Sequence, residues 1–191
     1  MADATVSAAD CLVECRSHQE KFPDVAVMQP SELKRLLADK APLTLLDCRT
    51  AAERAVSTLP GAISPDELKR GAGDSSAEAG PIVVYCTVGY RSSLEARRLA
   101  AESGRRDVFS MSGILPWAHE GGELVDPETN LPTRRLHCFG SKWAGMAPAD
   151  CETIIYPPVA GVRAVLPTVW VVVKDTVTGW IWGRQPTVVV P

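Results

Sequence analysis

What the chain has little of narrows its chemistry first. It has six cysteines in 191 residues, yet no Cys-x-x-Cys pair, so they read as scattered reduced thiols rather than staples or paired metal ligands. Charge of either sign is not in excess: 20 Lys and Arg stand against 23 Asp and Glu, a net of -3. That balance argues against nucleic acid or an anionic membrane surface as the main partner. The arginine pairs Arg97-Arg98, Arg105-Arg106 and Arg134-Arg135 are short and lie among acids, as solvated faces do. The first residues carry Asp3, Asp10 and Glu14 and no apolar core, so no secretory signal is expected and the predicted location is a reducing one, cytoplasmic or organellar. No membrane span is expected either. The apolar runs Val169–Val173 and Trp180–Trp182 are interrupted by Lys174 and Asp175, with Arg163 ahead of them.

What is present is an alternation of short β-prone runs and helical patterns. Val25–Val27, Leu43–Leu46, Ile82–Cys86 and Asp107–Ser110 read as strands, with a further short element at Ala62-Ile63. Between them, Ser31–Asp39 has Leu33, Leu36 and Leu37 on one helical face. Ser64-Pro65-Asp66-Glu67 opens another helix with a capping box, and Gly104 is placed to end a third. Gly113–His119 reads as a turn and a short helix carrying Trp117. Strands and helices in this rhythm predict an α/β fold: a small parallel sheet with helices on both faces. The predicted division is an extension at 1–24 with a possible short helix, a domain at 25–125, an irregular extension at 126–157, and a β-prone tail at 158–191 that is either a hairpin or not folded by itself. Gly71 to Gly80 reads as a flexible small-residue loop.

Chemistry concentrates where the third strand ends. Cys86-Thr87-Val88-Gly89-Tyr90-Arg91-Ser92 joins an apolar strand to a helix, with Ser92 and Glu95 spaced as a capping box. A helix N-terminus offers unpaired N–H groups and partial positive charge, so a thiol held there is biased toward thiolate. Ligands of parallel sheets sit at the carboxyl ends of strands, where both Asp47 and Cys86 fall. The competing reading is a buried cysteine that serves only as a small apolar side chain. Cys11, Cys15 and His18 would share a helical face, a weak match to zinc spacing that is better explained by a docking helix. No cofactor and no metal is called for. His119 and His137 have no partner pattern.

Three blocks together resemble a single-domain rhodanese, of the sulfurtransferase family. They are Leu45-Leu46-Asp47-Cys48-Arg49-Thr50 with Glu53 and Leu59-Pro60-Gly61-Ala62-Ile63, then Val84 to Ser92, then Met111-Ser112-Gly113-Ile114-Leu115-Pro116-Trp117. The likeness covers about residues 25 to 125. It departs at Thr58, where the family usually has a histidine, and at Gly113, where a double glycine is commoner. The resemblance implies a ping-pong sulfurtransferase in which Cys86 becomes a persulfide. A small anionic donor such as thiosulfate would supply the sulfur, and a thiol or protein acceptor would remove it. Thr87, Val88, Gly89, Tyr90 and Ser92 would cradle the anion, with Tyr90 at the mouth. Arg91 would bind the donor's sulfonate or else pair with Asp47 or Glu53. Asp47 and Arg49 would support the loop from behind. Cys48 is either a buried structural thiol or a partner that resolves an oxidised Cys86. Cys86 to Arg91 counts C-x4-R, shorter than the C-x5-R of phosphatases that share the fold. A phosphatase or arsenate reductase, and a non-catalytic binding module, remain the alternatives.

Overall fold

Four short runs rich in Val, Ile and Leu build the centre of the molecule. The computed structural model describes residues 8–71 and 80–155. Its sheet takes the order β1-β4-β3-β2, from Ala26–Met28 (β1), Thr44–Asp47 (β2), Ile82–Tyr85 (β3) and Val108–Met111 (β4), and every pairing is parallel. Strands β2 and β3 are buried along their whole length; β3 accordingly reads as an apolar run, while β2 is bounded by the buried Thr44 and Asp47. The period of two divides their side chains between two cores. Leu45, Val83, Tyr85 and Met111 belong to one; Leu46, Ile82, Val84 and Val108 belong to the other.

Helices cover both faces, as expected. The second core is closed by Ala96, Leu99 and Ala100 of α5 (Tyr90–Ser103) and by Leu68 of α4 (Pro65–Lys69). The first is closed by α1 (Ala8–Gln19), α2 (Pro30–Ala38) and α6 (Ile114–His119). Helix starts follow side-chain chemistry. Ser64 and Glu67 form the expected capping box, and Thr50 with Glu53 forms a second one at α3 (Ala51–Arg54). Gly104 ends α5 in the left-handed conformation. The Ala62-Ile63 element is a single bridge from Ile63 to Leu46 rather than a strand.

The expected Ser92–Glu95 box does not form. Gly89 adopts φ 93° and is itself the N-cap, so α5 starts at Tyr90 and Ser92 lies inside its first turn. A non-glycine cap could not take that turn without strain, and it frees the Ser92 hydroxyl to turn back toward the loop.

Residues after 125 hold more order than their sequence suggests. Arg135–His137 (β5) and Glu152–Ile154 (β6) pair in parallel around the short α7, Ser141–Ala144. Leu136 and Cys138 enter the first core together with Cys11 and Cys15 of α1. Positions 72–79 of the small-residue loop and the expected β-prone tail lie outside the described residues. Among the described residues, no helix is long and apolar enough to cross a membrane.

Candidate active site

The thiol of Cys86 sits one residue past β3, at the carboxyl edge of the sheet, and is 1% exposed. The loop behind it is held by backbone. Ile114 N–H donates to the Cys86 carbonyl at 2.8 Å, and Leu115 N–H to that of Thr87 at 3.3 Å. Gly113 permits this approach: its φ is 124°, and a Cβ there would lie 2.4 Å from the Thr87 oxygen. The short Gly113 block therefore shapes the cysteine loop directly, although 27 positions separate Gly113 from Cys86 in the chain.

Donors converge on the sulfur. Gly89 N–H lies 3.2 Å from Cys86 Sγ and the Ser92 hydroxyl 3.6 Å. Burial alone pushes a thiol pKa up, but the interaction with Cys48, the charge of Arg91 and the Ser92 contacts outweigh it. Cys86 is therefore held well below the ordinary thiol value, which favours the thiolate. Cys48 moves the other way, raised by its interaction with Cys86 and by burial, and its thiol donates to the Tyr85 carbonyl at 3.2 Å.

Arg91 pairs with Glu53, one of the two partners considered for it. Its two terminal nitrogens reach the two carboxylate oxygens at 2.8 and 2.7 Å, and Nη2 also donates to Thr87 Oγ1 at 3.1 Å. Glu53 is buried, which alone would raise its pKa, yet Arg91 and Thr50 bring it down to about 2. His137 stands 3.6 Å from the same carboxylate, 1% exposed, with neither ring nitrogen hydrogen-bonded, and burial lowers its pKa. Nothing in the sequence pairs position 137 with position 53; only the β5–β6 segment brings them together. On the outer side Arg91 stacks over Phe139 at 5.7 Å.

Asp47 and Arg49 form a separate buried brace. Arg49 donates twice to Asp47, from Nε at 2.9 Å and from Nη2 at 2.7 Å, and Nη2 also reaches the Ser57 carbonyl. The Tyr85 hydroxyl donates to Asp47 at 2.6 Å and accepts from Leu59 N–H at 3.1 Å. Thr58, the residue in the histidine's place, joins the same network at Asp47 and Tyr85. These groups lock the residue preceding Cys86 in position and do not touch its sulfur.

Tyr90 is partly exposed and leans on the N-terminal helix. Its ring packs against α1 and the following turn, 5.2 Å from Phe22 and 6.1 Å from His18. Gln19 of α1 lies over the loop, 3.1 Å from where a Gly89 Cβ would be. Val88 is buried in the core beneath, against the first apolar cluster. A cleft of about 410 Å³ lies beside the loop, lined by Cys48, Lys69, Leu94 and Glu95 with Arg91 and Arg98. Cys11 and Cys15 are both buried in the first core, and among the described residues no group of three or more metal-ligating side chains forms.

Fold and loop together define a thiol-centred parallel α/β domain. Comparison with known proteins narrows the class. Residues 29–119 match the rhodanese-like domain. A sulfurtransferase of Allochromatium vinosum is 32% identical over 97 residues, covering 50% of this chain and 91% of that protein. The chain belongs to the rhodanese-like family. Among solved structures it is similar to a thiosulfate sulfurtransferase of Pseudomonas aeruginosa (21% identity, TM-score 0.48, 62% of this chain and 23% of that one). It is also similar to a Rhodopseudomonas palustris protein of unknown function described as a possible tyrosine phosphatase (22% identity, TM-score 0.43, 64% and 96%).

Proposed function

We propose that this protein is a sulfurtransferase that carries a sulfane sulfur on Cys86, from a thiosulfate-like donor to a thiol acceptor. The observation that carries this reading is the Cys86 sulfur faced by the Gly89 N–H and the Ser92 hydroxyl, with the Arg91 charge favouring its ionised form. The Cys86 thiolate attacks the outer sulfur of the donor. The sulfur–sulfur bond of the donor breaks and sulfite leaves with the electron pair. The persulfide that remains is anionic, so the groups that hold the thiolate also hold the intermediate. An acceptor nucleophile then takes the outer sulfur and returns the Cys86 thiolate. Lys69, Arg91 and Arg98 around the cleft suit an anionic donor, although Glu53 shares the Arg91 charge and Glu95 and Glu102 share that of Arg98. Asp47 and Arg49 act only through the strand end that they brace. No nucleic acid, membrane, metal or cofactor enters the scheme.

The test is thiosulfate:cyanide turnover by the purified chain and by Cys86→Ser, with p-nitrophenyl phosphate hydrolysis alongside. Thiocyanate formed by the native protein and not by the variant supports the persulfide route. Phosphate release without thiocyanate would reassign the site to a phosphatase.

A further inference from the structure

Resting on the persulfide reading above, we propose that Cys48 is the resolving thiol of this site. It attacks Sγ of the Cys86 persulfide, closes a Cys48–Cys86 disulfide and expels the outer sulfur as hydrosulfide. The placement follows from sheet register. Asp47 pairs with Tyr85 across β2 and β3, so Cys48 and Cys86 occupy the next rung. Cys48 N–H continues the ladder to the Tyr85 carbonyl at 3.1 Å. Neighbouring strands run about 4.8 Å apart, within the Cα separations of about 4.4–6.8 Å that disulfides span. Asp47 and Tyr85 contact each other on one face of the sheet. The alternation of side chains then directs both thiols to the opposite face, where the Cys48 thiol donates to the Tyr85 carbonyl at 3.2 Å, one residue before Cys86.

The step balances without an oxidant. The persulfide already carries the oxidation: the Cys48–Cys86 bond forms, the bond from Cys86 Sγ to the outer sulfur breaks, and that electron pair and the Cys48 proton depart as hydrosulfide. Reopening the disulfide takes a dithiol reductant. Exposure favours attack on the Cys48 sulfur, because Cys48 lines the cleft while Cys86 is 1% exposed. The leaving group is then the Cys86 thiolate, which its surroundings stabilise. Cys15 is a poorer candidate, since it is fully buried in the first core, on the other face of the sheet. The site would thus have a second outlet, release of sulfide driven by a dithiol.

The experiment is a single loading of the full chain with thiosulfate, without acceptor, followed by intact mass, sulfide assay and non-reducing peptide mapping. The expected result for the native protein is transient gain of one sulfur, then loss of two hydrogens relative to the reduced chain. One sulfide should be released per persulfide, with a peptide joining Cys48 to Cys86. Cys48→Ser, with its fold checked by circular dichroism, should keep the added sulfur and release no sulfide. A native persulfide that persists without sulfide release, or a disulfide mapped to Cys15, overturns the proposal while leaving the transferase reading intact. If no sulfur is gained by either protein, the persulfide reading itself fails, and this proposal with it.

Discussion

Arg91 and Glu53 meet through both oxygens and both terminal nitrogens, 2.7 and 2.8 Å apart, directly beside the cysteine loop. The Arg91 charge is therefore shared between the sulfur and a buried carboxylate, and it is already fixed in place before any donor arrives.

That pair gives a pH signature. The Glu53 carboxyl falls from 4.5 to about 2 in the folded chain, so its contribution is present above pH 4.5 and is lost as pH falls toward 2. The size expected is on the order of 3 kcal/mol for a shift of this extent. His137, kept neutral by burial, adds a loss that begins as pH drops below 6.5. Urea titrations across this range should show both phases in the native protein. Glu53→Gln should remove the lower one, and an unchanged lower phase would contradict the pairing.

The thiolate should be visible directly. An ordinary thiol titrates near pH ~8.5, whereas Cys86 should keep its ultraviolet thiolate band at neutral pH and lose it only on acidification. Cys86→Ser should lack the band. Arg91→Ala should move the titration upward, because it removes a positive charge from the thiolate's surroundings. A native band that appears only in alkali would mean that the donors do not hold the charge.

Asp47 balances a guanidinium that is 2% exposed. Replacing it by Asn leaves Arg49 buried without a counter-charge, a change that typically costs about 3–5 kcal/mol. Asp47→Asn should therefore lower the denaturation midpoint far more than surface substitutions do. Tyr85→Phe should cost less, about 1–3 kcal/mol, by orphaning Leu59 N–H. Equal, small effects from both would show that the brace is not needed.

Gly113 links the third sequence block to the chemistry. Gly113→Ala places a methyl 2.4 Å from the Thr87 oxygen at a backbone angle that alanine rarely adopts. The loop must then shift, so the expected outcome is loss of the Cys86 thiolate band along with a destabilisation of about 1 kcal/mol or more. Retention of the native thiolate titration in a folded Gly113→Ala protein would separate the loop from this contact.

The sequence by itself determined the α/β alternation, the positions of β2, β3 and β4 to within a residue, the Ser64 cap and the cysteine loop. These are local: period, β-propensity and short-range caps act over a few neighbouring residues. It misplaced the start of α5, because a left-handed Gly89 outcompeted a well-spaced Ser92–Glu95 pair. Only the tertiary structure decided which carboxylate holds Arg91, that His137 stands beside Glu53, and that Cys48 shares a rung with Cys86. It also decided that the Tyr90 ring packs against His18 of α1 and Phe22. Each of these depends on strand order and on segments far apart in the chain, and no spacing along the sequence encodes which strand edge meets which.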